Sequence, residues 1–182
     1  MARAKHYGRE IMDDDEFEAT LTNGRNPRDR AIFLFYYIFG CRVSEGLKLK
    51  AGTNARVEDG RIIIHFQREK QRKSAVISKD ILRIHINSKY AEELASWIKS
   101  RAEGEYLFKG RTEGHLTRFG VLKILKRMNP NIWVHFLRAN KVTYFKTKGI
   151  ELGKRIDWFG WADSRPDKSY AGRQPVELEE NL

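Results

Sequence analysis

The segment VHFLRAN (134–140) sets His135 and Arg138 three residues apart. On a helix that spacing puts both side chains on one face. Such a pair can hold a phosphate: the guanidinium donates a planar fork of hydrogen bonds to two oxygens, and the imidazole is a donor or proton carrier near neutral pH. The same spacing also describes an ordinary surface pair, so it does not by itself mark a site. Tyr170, in FGWADSRPDKSYAG (159–172), raises a similar choice, since it stands nine positions after Trp161 and twelve from the end of the chain. Most tyrosines pack their ring and hydrogen-bond their hydroxyl; the alternative is a nucleophile. Two further basic residues stand where a site can form. Arg42, in GCRVSEGL, comes just after an apolar run, and Lys70 lies within the basic stretch REKQRKS.

The elements that must position these residues read mainly as helices. MDDDEFEATL opens with acids that complement a helix dipole. NPRDRAIFLFYYIFG begins on an Asn-Pro opener and predicts a helix buried on most sides and stopped at Gly40. In CRVSEGLKLK, Val43, Leu47 and Leu49 are candidate core positions. From 55 to 87 the pattern turns to strands: ARVEDGRIIIHFQ holds two runs around a Glu-Asp-Gly turn, and SAVIS and LRIHIN are rich in β-branched residues. Ser88 caps a further helix in which Leu94, Trp97 and Ile98 share a face, and Thr117 caps RFGVLKILKRM. WVHFLRANKVTYFKTKG and IELGKRIDWFG predict two more helices, and Pro166 opens a short one before Tyr170. The expected fold is α+β, a mostly helical domain with one small antiparallel sheet.

Composition narrows the function. With 182 residues, 41% hydrophobic and 32% charged, the chain reads as one folded domain rather than a disordered segment. No apolar run reaches the length of a membrane span, and the polar amino terminus has no secretory pattern, so an intracellular protein with no membrane role is expected. A single cysteine, Cys41, excludes an internal disulfide, and the five histidines (6, 65, 85, 115, 135) show no close ligand spacing, so no metal is expected. The net charge of +11 is unevenly spread. Residues 10–18 carry six acids and no base, residues 175–182 three acids and no base, whereas 19–174 hold 32 Lys and Arg against 15 Asp and Glu. A basic body with acidic ends suits a polyanion.

Taken together, Arg42 within GCRVSE, Lys70 within EKQRK, His135 and Arg138 within HFLR, Trp161 within GW, and Tyr170 resemble the catalytic set of the tyrosine recombinases, the phage integrase family. Their order and approximate spacing match, including the 32 residues from Arg138 to Tyr170. The resemblance spans residues 10–172, and implies a lead-in (1–9), a catalytic domain (10–174) and an acidic tail (175–182). It departs from the family pattern at Ala139, where a second histidine is frequent, and in carrying Phe-Gly-Trp where Leu-Gly-His is more common. Nothing in the chain reads as the family's amino-terminal DNA-clamping domain, so the resemblance implies either a catalytic fragment of a larger recombinase, the favoured reading, or an unusually minimal member. Either would be carried by an archaeal or bacterial virus, plasmid or related mobile element and be cytoplasmic in a prokaryotic host cell.

The resemblance implies transfer of a DNA phosphodiester onto Tyr170, giving a 3′-phosphotyrosine and a free 5′-hydroxyl. Arg42 and Arg138 would grip the non-bridging oxygens with fixed charged donors, Lys70 would protonate the leaving oxygen, and His135 would help move the tyrosine's proton. Lys73 is the other lysine of that hairpin; Lys70 is preferred because it sits at the turn. Trp161 would buttress the tyrosine segment and donate one hydrogen bond, and Glu45 would orient Arg42. Because the phosphotyrosine bond stores the energy, no cofactor is implied, neither ATP nor metal. The implied partner is a double-stranded DNA recombination site, with a homotetramer on DNA and a monomer without it. Arg118, in the first turn of its helix, would reach base edges, while Lys123, Arg127 and the hairpin's Arg72 and Lys73 would meet the backbone. Two alternatives share these residues: a type IB topoisomerase-like relaxing enzyme, and a non-catalytic DNA-binding module of the same fold.

Overall fold

The computed structural model describes residues 12–67, 81–111 and 114–169. At its centre is the helix α2 (Pro27–Phe39), and local chemistry sets both of its ends. Asn26 caps it by accepting the Asp29 backbone N–H at 3.0 Å, and Pro27 supplies the fixed φ of a first helical residue. Gly40 ends it in the left-handed region at φ 57°. Ile32, Phe33, Leu34, Phe35 and Tyr36 are all fully buried, so the helix is covered on every side, as the unbroken apolar run implies.

The other elements pack around it. Helix α1 (Asp14–Thr22) is capped by Asp13 and lays Phe17 against Phe33 and Tyr37, with ring centroids 5.3 and 4.6 Å apart. Helix α3 (Val43–Leu47) follows at once. Strands β1 (Ala55–Glu58), β2 (Arg61–His65) and β3 (Ile81–His85) form one antiparallel sheet in that order. Asp59 and Gly60, both at positive φ, make the tight turn between β1 and β2 and set Ala55 opposite Ile64. The sheet packs on α4 (Lys89–Lys99), capped by Ser88, which buries Leu94 and Ile98; Trp97 is half-buried and donates to the Leu107 carbonyl at 3.1 Å. The expected strand SAVIS lies outside the described residues.

Helices α5 (Arg118–Met128), α6 (Val134–Thr147), α7 (Leu152–Phe159) and α8 (Arg165–Ser169) complete a mostly helical α+β fold with one small antiparallel sheet. Thr117 caps α5, accepting the Gly120 N–H at 2.9 Å. One large apolar core joins α1 to α6 and the sheet, whereas a separate small cluster of Val142, Phe159 and Trp161 lies between α6 and α7. Among the described residues no helix is long and apolar enough to cross a membrane.

Candidate active site

The two arginines singled out by their sequence context come together, and the fold holds each in a different way. Arg138, in the first half of α6, is only 3% exposed. Its guanidinium donates to the Gly40 carbonyl at 2.7 Å and the Phe159 carbonyl at 3.1 Å. Those carbonyls stand at the ends of α2 and α7, where the last C=O groups of a helix lack an intrahelical partner and carry the negative end of its dipole. A buried cation between two helix C-termini is thus compensated by backbone dipoles. The ring of Phe159 also lies 4.9 Å from the Arg138 guanidinium carbon, and Trp161 stacks on Phe159 with centroids 4.8 Å apart.

Gly40 makes this junction possible. A Cβ there would come within 2.9 Å of the Lys141 Cβ and 3.0 Å of the Phe159 ring, and its φ is one that other residues rarely adopt. Trp158 adds a second tie by donating to the Phe39 carbonyl at 2.9 Å. The residues after α2 are therefore fixed against both α6 and α7 before the chain turns into α3.

Arg42 stands at the start of α3 and is 43% exposed along its side chain. Glu45, buried, accepts both the Arg42 backbone N–H at 2.7 Å and the guanidinium at 2.8 Å. One carboxylate thereby closes the helix start and aims the arginine, the orienting role expected of Glu45.

These groups open onto a cavity of about 350 Å³ lined by Arg42, Ser44, Gln67, Arg118, His135 and Arg138, among others. The first turns of α5 and α6 both contribute, through Arg118 and His135, and helix starts favour anions. Three arginines and a histidine against Glu45 leave the cavity cationic, which suits an anion such as a phosphate. His135 is exposed, one turn before Arg138.

The remaining sequence candidates separate. Trp161 is buried behind Arg138 in the small cluster, a packing position. Lys123 is exposed on α5. Arg127 is exposed on the last turn of α5, and its guanidinium donates to the carboxylate of Asp29, a fully buried residue. Lys70, Arg72, Lys73 and Tyr170 lie outside the described residues. Gln67, which no sequence signal singled out, lines the cavity three residues before Lys70.

The architecture is that of the tyrosine recombinase catalytic domains. The structure is similar to XerH recombinase bound to difH in a pre-cleavage complex, with 18% identity, a TM-score of 0.65, and coverage of 88% of this chain and 49% of that one. A post-cleavage XerH complex on a palindromic difH substrate gives 18% identity and a TM-score of 0.69, covering 93% of this chain and 51% of that one. XerA recombinase gives 17% and 0.64, covering 89% and 58%. The chain thus spans about half the length of the recombinases it matches. No curated protein matches the sequence. Residues 10–174 match the model of the phage integrase family, and the chain belongs to that family.

Proposed function

We propose that this chain is the catalytic domain of a site-specific DNA recombinase that cleaves and rejoins strands through a 3′-phosphotyrosine. The observation that carries the reading is the convergence of Arg42, His135 and Arg138 on one cationic cavity, the first two from helix starts and Arg138 from one turn further into α6. Similarity to recombinases described as bound to their DNA substrates supports a DNA partner.

The chemistry follows from the groups present. A DNA phosphodiester seated in the cavity meets Arg42 and Arg138 on its non-bridging oxygens. Both stay charged throughout, so as negative charge concentrates on those oxygens in the transition state, their attraction grows without any rearrangement of the protein. Arg138 is held by backbone carbonyls on one side and cannot swing away, which fixes the phosphate's position. Because a free tyrosine hydroxyl stays protonated at neutral pH, Tyr170 loses its proton as its oxygen attacks phosphorus, and His135, which lines the cavity, helps carry that proton. The P–O5′ bond breaks, and Lys70 delivers a proton to the departing 5′-oxygen. Reversal by a 5′-hydroxyl from another strand rejoins the DNA. Arg118, on the cavity wall at the start of α5, reaches from the phosphate toward base edges, and Lys123 meets the backbone. Four chains assemble on a pair of sites, and one chain alone stays monomeric in solution.

Incubation with a nicked duplex carrying a recognition site selected for this chain from random-sequence DNA tests the reading. A covalent protein–DNA adduct is expected with the unmutated chain and none with Tyr170→Phe. An adduct that survives Tyr170→Phe, or none from the unmutated chain while it binds the duplex, overturns it.

A further inference from the structure

Helix α8 (Arg165–Ser169) ends one residue before Tyr170, and it is tied down by an unusual arrangement of charge. Asp167 is buried. Its two carboxylate oxygens accept a two-pronged hydrogen bond from Arg155, Nε at 2.8 Å and a terminal nitrogen at 3.0 Å. The Lys146 ammonium lies 3.2 Å from the same carboxylate and donates to the Asp167 backbone carbonyl at 2.6 Å. Arg155 also donates to the Ile150 carbonyl, so its own orientation is fixed. Burial pushes the Asp167 carboxyl up, but the hydrogen bonds from Arg155 and Lys146 outweigh it and hold the group below its ordinary value. Both cations are largely shielded from water, which sets this cluster apart from an exposed ion pair of little consequence.

The three residues come from three elements: Lys146 from the last turn of α6, Arg155 from α7, and Asp167 from α8. Helix α6 also carries His135 and Arg138, and the last residue of α7 accepts from Arg138. The clamp therefore fixes α8 against the same two elements that hold the phosphate-binding arginine. Tyr170 follows Asp167 by three residues, a chain length that spans at most about 10–11 Å. We propose that Asp167 is a positioning residue for the nucleophile, registering the segment that carries Tyr170 on α6 and α7 through Arg155 and Lys146. This rests on the reading of Tyr170 as the nucleophile.

Single-turnover adduct formation on the selected nicked duplex, at saturating DNA, is the kinetic test. Asp167→Asn and Arg155→Ala are each expected to slow it by about 10–100-fold, the effect of a small misplacement of a reacting group, while DNA affinity stays within about twofold. Arg155→Lys, which keeps the charge but loses the fork, is expected to fall between Arg155→Ala and the unmutated chain. The double variant should be no slower than the slower single one, because the two residues act as a unit. Unchanged rates in Asp167→Asn and Arg155→Ala, beside an active unmutated chain, overturn the proposal. Hydrogen exchange gives a readout independent of activity: in Asp167→Asn, amides of 161–169 should exchange faster while those of 27–39 do not change. Unchanged exchange across 161–169 overturns the clamp even if the unmutated chain forms no adduct, a result that would separately remove the recombinase reading.

Discussion

The two regions that meet at Arg138 are attached to the molecule by different means. On one side, α2 and α3 belong to the main core, where Phe35, Tyr36 and Phe39 are buried to the last ring and Gly46 lets α3 lie against Phe35 and Tyr36. On the other, α7 and α8 rest on a cluster of three fully packed residues, on Trp158 and Arg138 reaching helix carbonyls, and on the Asp167 clamp. Apolar burial is cooperative and hard to undo locally, whereas a thin layer of directional contacts can open without unfolding the rest. On the proposed reading, Arg42 of the phosphate grip stands on the first region, the segment leading to Tyr170 on the second, and Arg138 bridges them from α6. That reading leaves the group proposed to reach and withdraw on the more weakly held side.

The two arginines test that contrast most directly. Arg42→Ala and Arg138→Ala are each expected to lower adduct formation by about 10²–10³-fold, the loss typical of one transition-state donor. Their effects on stability should differ. Removing Arg138 leaves the Gly40 and Phe159 carbonyls without that donor inside the protein, so a cost of about 1–3 kcal/mol is expected in urea unfolding. Removing the exposed Arg42 leaves Glu45 still accepting the backbone N–H, and unfolding should shift by less than about 1 kcal/mol. Equal destabilisation by the two variants would break the comparison, since it would place both arginines in the same structural role.

Gly40→Ala probes the seam between the regions. The added Cβ meets Lys141 and Phe159, and the left-handed φ adds strain, so a loss of about 1–3 kcal/mol is expected. Because the Gly40 carbonyl orients Arg138, adduct formation should fall further than stability alone explains, measured under conditions where the variant is fully folded. A stability loss with an unchanged rate constant would show that Arg138 is oriented without this contact.

How much of this was legible in the sequence depended on the range of the interaction involved. Asn26, Ser88 and Thr117 announce helix starts because a cap is satisfied within three residues; Ser88 and Thr117 cap as read, and the Asn-Pro opener proves to be a cap by Asn26. The Asp-Gly turn and the apolar α2 are equally local. The five-residue α3 escaped notice because so short a helix shows no periodicity and contains Gly46. Pairings across long separations left no local trace. Arg127 looked like one more cation on a basic helix, but Asp29, 98 residues away, takes its guanidinium. Asp167 drew no notice within the short helix opened by Pro166, because its partners lie 12 and 21 residues back. Arg138 was legible as a candidate phosphate ligand only once its spacing from His135 was joined to Arg42, Lys70, Trp161 and Tyr170. That its own support would be the ends of α2 and α7 was not, because those ends meet only in the fold.

The smallest expected effect concerns Lys141, which joins the two regions from α6. It packs beside Gly40 with its ammonium 4.9 Å from the Tyr144 ring and 5.0 Å from the Phe145 ring. Burial lowers its pKa from 10.5 to about 8. Asp14, Glu18, Tyr37 and Tyr90 line the cavity beside it, so several polar groups face the same space. The folded value lies below the unfolded one, hence the charged form is the disfavoured one in the folded state. Below pH 8 the lysine is charged both folded and unfolded, and the full penalty applies; as pH rises from 8 toward 10.5 the folded protein sheds the charge first and the penalty fades. Lys141→Met keeps the aliphatic stem and removes the charge, so at pH 7 it should stabilise the protein by about 1 kcal/mol once the lost ring contacts are offset. That advantage should shrink when unfolding is repeated between pH 8 and 10. An advantage that stays constant over this range would mean that packing, and not a buried charge, sets the strength of the junction between the phosphate grip and the tyrosine-carrying side.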